Sequence, residues 1–323
     1  MNAFEYASPT SVDDAVSLLS DSWGETEVLA GGTDLVTLLK QGLTAPRLVV
    51  SLSNVKQLSG ISKKGGSLEI GATTTLSELV ANADVQEHFP ALVTAANNIG
   101  STQILNAGTV GGDLLQRPRC WYFRNGFGLF GTHDGEPLVP TGDNRYHAIF
   151  GNSGAAKFVN ASSLAPGLIA LGATLSVQGP GGAREVKASE FYSTPKSEND
   201  REYTLKPNEV LTGVSIPMQG LRNGTYEVRQ RQGLDWPMVA ASVAFEHGGG
   251  TVSDARIVLG HVAPVPWFAE KASKELGGKQ PNDAALKSAS EAAVADATPL
   301  SRNGYKVQQL RVAVRRAIEA ALA

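Results

Sequence analysis

A succession of strand, double glycine, helix and strand near the N-terminus constrains this chain more than any other feature. Val28-Leu29-Ala30 is a strand-like apolar run that ends in Gly31-Gly32. Leu35, Leu38 and Leu39 then give one face of a helix, and Gly42 supplies its stop. Leu48, Val49, Val50 and Leu52 follow as an almost continuously apolar strand. Strands of that kind suit a small parallel sheet covered by helices, so the stretch reads as a βαβ unit. The Gly31-Gly32 turn then sits at a strand's carboxyl end, where open α/β folds bind ligands. Glycine permits positive φ and close backbone approach, and exposed amides at a helix start attract anions. The turn is therefore either a phosphate site or an ordinary strand-to-helix turn, with Thr33 or Asp34 as N-cap.

The chain has 323 residues, 42% of them hydrophobic, enough for two or three cored units. A net charge of -3 and the absence of a long Lys/Arg run leave no electrostatic footprint for nucleic acid. Cys120 is the only cysteine, which excludes an internal disulfide, a four-thiolate iron-sulfur cluster and a multi-cysteine zinc site within this chain. Met1 to Thr10 has neither a basic nor an apolar region, and no segment approaches the roughly 20 apolar residues of a membrane span. The expected location is cytoplasmic, or periplasmic only if a partner carries the export signal.

Further along, Ser11 caps a helix with Val12, Ala15, Val16 and Leu19 on one face. From Ser67 the pattern changes to a strand through Leu68 and Ile70, then helices over Leu76 to Ala81 and Pro90 to Ile99. A second glycine-rich loop, Asn106-Ala107-Gly108-Thr109-Val110-Gly111-Gly112-Asp113, precedes the basic-aromatic stretch Arg117 to Arg124. Asn125 to Tyr146 shows little periodicity, and its length and aromatic content suit a surface excursion built for contact or cofactor shielding. Thr174 to Val177, Glu185 to Val186 and Val210 to Pro217 read as antiparallel strands. Tyr226 to Gln230, Val239 to Glu246 and Val252 to Gly260 read as a three-stranded meander, followed by helices near Phe268 to Leu276, Asp283 to Ala295 and Val307 to Leu322. The expected division is 1–218, with lobes of about 1–54 and 55–218 and an excursion over 117–150, then an α+β unit over 219–323.

Neither Gly-x-x-x-x-Gly-Lys-Ser/Thr nor Gly-x-Gly-x-x-Gly occurs at a strand-helix turn. The five histidines lack metal-ligand spacing, and no serine sits in a Gly-x-Ser-x-Gly elbow, so no catalytic residue and no metal ligand is assigned. His147 and His261 read as structural. What remains is the pair of loops, Gly-Gly-Thr-Asp and Gly-Thr-Val-Gly-Gly-Asp, whose amides and threonine hydroxyls suit two adjacent phosphates. Each hydrogen bond to a charged group contributes about 1.5 to 3 kcal/mol, so the pair can anchor a pyrophosphate without lysine. Asp34 and Asp113 would repel phosphate, and fit better as backbone caps or ribose ligands. Arg229, Arg231 and Trp236 lie together, either to meet a cofactor ring or partner or as a solvated strand face.

The series Leu29-Ala30-Gly31-Gly32-Thr33-Asp34, Gln103-Ile104-Leu105-Asn106, Gly108-Thr109-Val110-Gly111-Gly112-Asp113-Leu114 and Ile257-Val258-Leu259-Gly260-His261-Val262-Ala263-Pro264 resembles the FAD-binding subunit of molybdenum hydroxylases, the xanthine dehydrogenase and carbon monoxide dehydrogenase group. The likeness runs in order across nearly the whole chain, to Asn303-Gly304-Tyr305-Lys306. It implies an α+β chain: a two-lobed flavin-binding domain of the vanillyl-alcohol-oxidase type, then a C-terminal three-stranded antiparallel sheet with helices. The residues it assigns to FAD are Leu29, Ala30, Gly31, Gly32, Thr33, Asp34, Asn106, Gly108, Thr109, Gly111, Gly112, Asp113 and Leu164. It also implies a molybdopterin-binding large subunit where substrate is hydroxylated, and a small subunit whose [2Fe-2S] centres relay electrons to FAD and on to an external acceptor.

A narrower likeness, in Leu114 to Arg124 and Asn144 to Gly151, is to the aldehyde-oxidoreductase branch, whose flavin subunit carries a [4Fe-4S] cluster in this loop. Cys120 stands alone here, so the loop is expected without that cluster. Leu105 and Ser163 also depart from the branch, which usually has arginine and aspartate there. These departures motivate the alternative of a flavin-free scaffold bridging the other two subunits.

Overall fold

The computed structural model describes residues 1–231 and 233–323. Strands Glu5–Ala7, Leu48–Ser51 and Thr26–Leu29 form a parallel sheet with Leu48–Ser51 in the middle. All four residues of that central strand are buried, as its apolar run Leu48, Val49 and Val50 predicts, with Ser51 Oγ hydrogen-bonded to Ser53 Oγ. Helix Leu35–Gln41 makes the crossover and ends where Gly42 turns left-handed at φ 70. The edge strand Glu5–Ala7 left no signal in the sequence because three residues, two of them exposed, carry no periodicity.

A second lobe is built on a five-stranded antiparallel sheet, in the order Ile61–Lys64, Ser67–Gly71, Val210–Pro217, Thr174–Gly179, Gly182–Lys187. Alternate residues of Ser67–Gly71 and Thr174–Gly179 point inward, and Leu68, Ile70, Leu175 and Val177 join Leu79, Leu92 and Leu168 in one core. Thr75 and Glu78 close a full capping box on helix Leu76–Ala81.

The meander is Arg222–Val228, Val239–Gly248 and Thr251–Gly260, joined by a two-residue fourth strand, Trp267–Phe268, at its outer edge. Pro264 and Pro266 offer no N–H to a ladder, so pairing resumes for two residues only. Helices Glu270–Leu276, Asp283–Ala292 and Tyr305–Leu322 pack on one face, the last through Leu310, Val314 and Ile318, all fully buried. The other face of the sheet contributes Ala244 and Val258 to the core of the second lobe.

The 117–150 excursion is ordered by tertiary contacts. It holds the helical turn Trp121–Arg124 and a ribbon of Thr132–His133 with Glu136–Pro137, and Leu129 packs with Ala156 and Phe158 in a satellite core. Its far end is latched to the last helix. Lys306 Nζ donates to the carbonyl oxygens of Tyr146, His147 and His261 at 3.1, 3.1 and 3.0 Å, and Asn303 Nδ2 donates to that of His147 at 3.0 Å. Among the described residues, no helix is long and apolar enough to cross a membrane.

Candidate functional site

The two glycine loops touch. A Cβ on Gly31 would overlap the carbonyl oxygen of Ala107, and one on Gly111 would lie 2.9 Å from that of Ala72, so only glycine lets these backbones approach. Gly32 adopts φ 72, and a Cβ there would meet Val36 Cγ2 at 3.1 Å. On the second loop, Thr109 Oγ1 accepts from the Gly112 amide at 3.0 Å and caps the turn Val110–Leu114.

Two cavities open beside the loops, of about 890 Å³ and 350 Å³. Thr33, Asp34, Thr109, Gly112 and Gln116 line both, so the loops form the wall where the cavities meet. Ala30, Gly31, Gly32 and Gly111 face the larger cavity, and Gly108 and Asp113 the smaller. Leu29, Asn106 and Leu164 line neither. Leu29 closes its strand beside Gly32, Asn106 is exposed on the helix Thr102–Ala107, and Leu164 is core.

Asp34 occupies the N-cap position of its helix but makes no side-chain cap bond. Its carboxylate instead accepts from the Arg117 amide at 2.8 Å and from Arg124 Nη2 at 2.8 Å, and pairs with Arg119 Nη1 at 3.1 Å. Two guanidinium groups outcompete one backbone amide for a carboxylate. Asp113 does act as a cap, at a distance. It accepts from Ser162 Oγ and from the amides of Ser163 and Leu164 at 3.2 and 2.9 Å, ordering the entry to helix Ala165–Ala170. Burial pushes its pKa up, and those bonds oppose the shift. Both aspartates are thus committed to the protein.

Arg119 lies over Trp236, 4.4 Å from the ring centroid, and burial lowers its pKa to about 10 against the pull of Asp34. Arg119 Nε and Arg124 Nη1 are buried donors without a partner among the described residues. Arg229 is held by Glu227 at 2.7 Å, and burial raises that carboxyl to about 7 although Arg229 opposes it. Arg229, Arg231 and Trp236 line the smaller cavity, together with Ser163. Leu105 packs half-buried against the second lobe's core. His147 and His261 lie away from both cavities. The imidazole Nε2 of His147 is 3.1 Å from Cys120 Sγ, and burial lowers the two histidines to about 4 and about 3. The pairing of Arg119 and Arg124 with Asp34 was invisible in the sequence, which displayed the basic stretch without its partner. Trp23, Glu27 and Arg201 on the larger cavity gave no local signal either.

The family model described as "FAD binding domain in molybdopterin dehydrogenase" matches residues 2–219, and the one described as "CO dehydrogenase flavoprotein C-terminal domain" matches residues 224–321. The chain is 30% identical over 327 residues to the carbon monoxide dehydrogenase medium chain of Afipia carboxidovorans, covering 99% of this chain and 97% of that one. It is 27% identical over 292 residues to an aldehyde oxidoreductase FAD-binding subunit of Escherichia coli, covering 85% and 86%. A solved carbon monoxide dehydrogenase from Hydrogenophaga pseudoflava, in a form lacking the Mo-pyranopterin moiety, superposes with a TM-score of 0.78 at 28% identity, covering 99% of this chain and 98% of that chain.

Proposed function

The chain belongs to the FAD-binding subunits of the molybdopterin dehydrogenases, and we propose on that premise that its two glycine loops clamp the FAD pyrophosphate, with one end of the dinucleotide in each cavity. The observation that carries the reading is the wall shared by the two cavities, built from Thr33 and Asp34 of one loop and Thr109 and Gly112 of the other. The residues fit the cofactor. A side chain on Gly31 or Gly111 would abolish the approach of backbone to backbone, and Arg119 and Arg124 cancel the charge of Asp34 while keeping buried donors free. Ala30, Gly31, Gly32, Thr33, Gly108, Thr109, Gly111 and Gly112 are the backbone cradle, and Asp34 and Asp113 hold its supports rather than the ligand.

Bound FAD supplies electron exchange between iron-sulfur centres and an external acceptor, and the protein supplies binding, orientation and electrostatics. In this reading the chain works beside a molybdopterin-binding large subunit and a [2Fe-2S] small subunit. The Arg117 to Arg124 series favours the aldehyde-oxidising branch within this reading, and the flavin-binding and C-terminal domains divide near residue 218. The flavin-free scaffold is the weaker reading because both loops keep the glycines their contact demands. The test is flavin content: purified protein should carry or take up FAD, and Gly32→Val should lose it while staying folded. A wild-type preparation without flavin absorbance that takes up no added FAD sinks the reading, and undiminished flavin in Gly32→Val sinks the clamp.

A further inference from the structure

Besides the glycine loops, two segments far apart in sequence meet on the larger cavity. Gly128 and Leu129 of the excursion line it, and so do Glu198 and Asn199. None of these four lines the smaller cavity. Glu198 and Asn199 sit on a strap over residues 193–202. Its base is closed by the bridge between Tyr192 and Tyr203, and by the Ser193 amide donating to the Glu202 carbonyl at 3.1 Å. Its tip is folded on itself, because Asp200 accepts from the amides of Lys196 and Ser197 at 2.8 and 2.9 Å and from Ser197 Oγ at 2.8 Å. Pro195 is buried at the foot of the strap, whereas Lys196, Ser197, Glu198 and Asn199 are exposed.

One side chain ties the tip to the body. The Glu198 carboxylate accepts from the amide of Leu129 and, at 3.2 Å, from that of Phe130. Gly128 precedes these amides with φ 73, and a Cβ there would come 2.9 Å from Glu198 Oε2. Glycine at 128 therefore both turns two successive amides toward the carboxylate and leaves room for it. Among the described residues, no other hydrogen bond joins 194–200 to a residue outside the strap. A loop with close ends, bonded internally and held at its tip by one solvent-facing contact, swings about its base as a unit. That contact is charge-assisted, but water competes for it, so it is made and broken far more readily than the buried bonds around it. It also spans two segments that flank the larger cavity, and a dinucleotide laid across both cavities has to pass it.

We propose that residues 193–202 are a strap that opens and closes over the larger cavity, that Glu198 on the Leu129 and Phe130 amides is its catch, and that it sets how fast FAD enters and leaves. The proposal rests on the flavin reading above, and holds whichever end of FAD occupies that cavity. It is tested on the flavin-freed protein in complex with its partner subunits, by stopped-flow fluorescence of FAD association and by exchange of bound FAD for labelled FAD. Glu198→Ala should speed association and exchange alike by about fivefold, the population change expected from losing one exposed charge-assisted contact. The dissociation constant should stay within about twofold, since a gate lowers the barrier in both directions. Without flavin, amide hydrogen exchange in the variant should rise over 128–131 and 193–202 and match wild type in the rest of the second lobe. Three outcomes overturn the proposal while leaving the flavin reading intact: both rates unchanged, amide exchange unchanged in the two segments, or FAD bound more weakly with an unchanged association rate, which would make Glu198 part of the binding surface. A wild-type complex that takes up no FAD overturns both.

Discussion

At Asp34 one carboxylate joins the first glycine loop to a segment 83 residues downstream at the Arg117 amide and 90 residues downstream at Arg124. Asp34→Asn leaves two largely buried guanidinium groups without their counterion. A loss of about 3 kcal/mol is expected, read as a lower urea midpoint, with flavin affinity falling alongside as the basic stretch loosens. His261 carries a different prediction. Its ring is fully buried, its backbone sits at φ 59, and its pKa is lowered from 6.5 to about 3. The unfolded chain therefore takes up this proton first as the pH falls, so the contribution is whole above pH 6.5 and is lost progressively below it. His261→Asn keeps a residue that tolerates positive φ. It should flatten the slope of unfolding free energy against pH between about 6 and 4 by roughly 1.4 kcal/mol per unit; an unchanged slope would show that the ring is not held neutral. Residue identity made the glycines legible in sequence. The partners of Asp34 were not, because side-chain pairing across such distances leaves no local periodicity.

Elements were legible where a face is apolar and where glycine or proline marks an end. Leu48–Ser51, Pro90–Asn97 and the long meander strands are of that kind. Ile61–Lys64 was missed because it is an edge strand whose last three residues are exposed, two of them lysines. Excursion 117–150 looked structureless for a related reason: its order comes from outside itself. Lys306 supplies that order by giving all three donors to carbonyls of Tyr146, His147 and His261. Lys306→Met should cost about 3 kcal/mol through the carbonyls it strands and should open a new tryptic or chymotryptic site within 125–146. A digestion pattern identical to wild type would mean that the latch does not order the loop.

At the scale of the whole molecule, the meander and the second lobe share a core. Ala244 and Val258 of the meander are fully buried in the second lobe's core. Asn223 caps helix Pro90–Asn97 from across the boundary, its Oδ1 accepting from the Ala91 amide at 3.0 Å. Gly260 packs so closely that a Cβ would come 2.9 Å from Pro166 Cγ. A fragment of residues 1–218 should therefore bind a hydrophobic dye and unfold without a sharp transition, whereas the full chain melts in a single one; a cooperative melt of the fragment would show that the lobe is self-sufficient. The Lys306 latch carries this dependence into protein synthesis. Lobes made first can collapse while the ribosome is still translating, at about 5 to 20 residues per second. The far end of the segment bearing Arg117, Arg119 and Arg124 is held in part by Asn303 and by Lys306 of the helix that begins at Tyr305. The wall between the two cavities is accordingly braced from a segment translated about 180 residues after Arg124, so its supports are complete only once the Tyr305–Leu322 helix has been made.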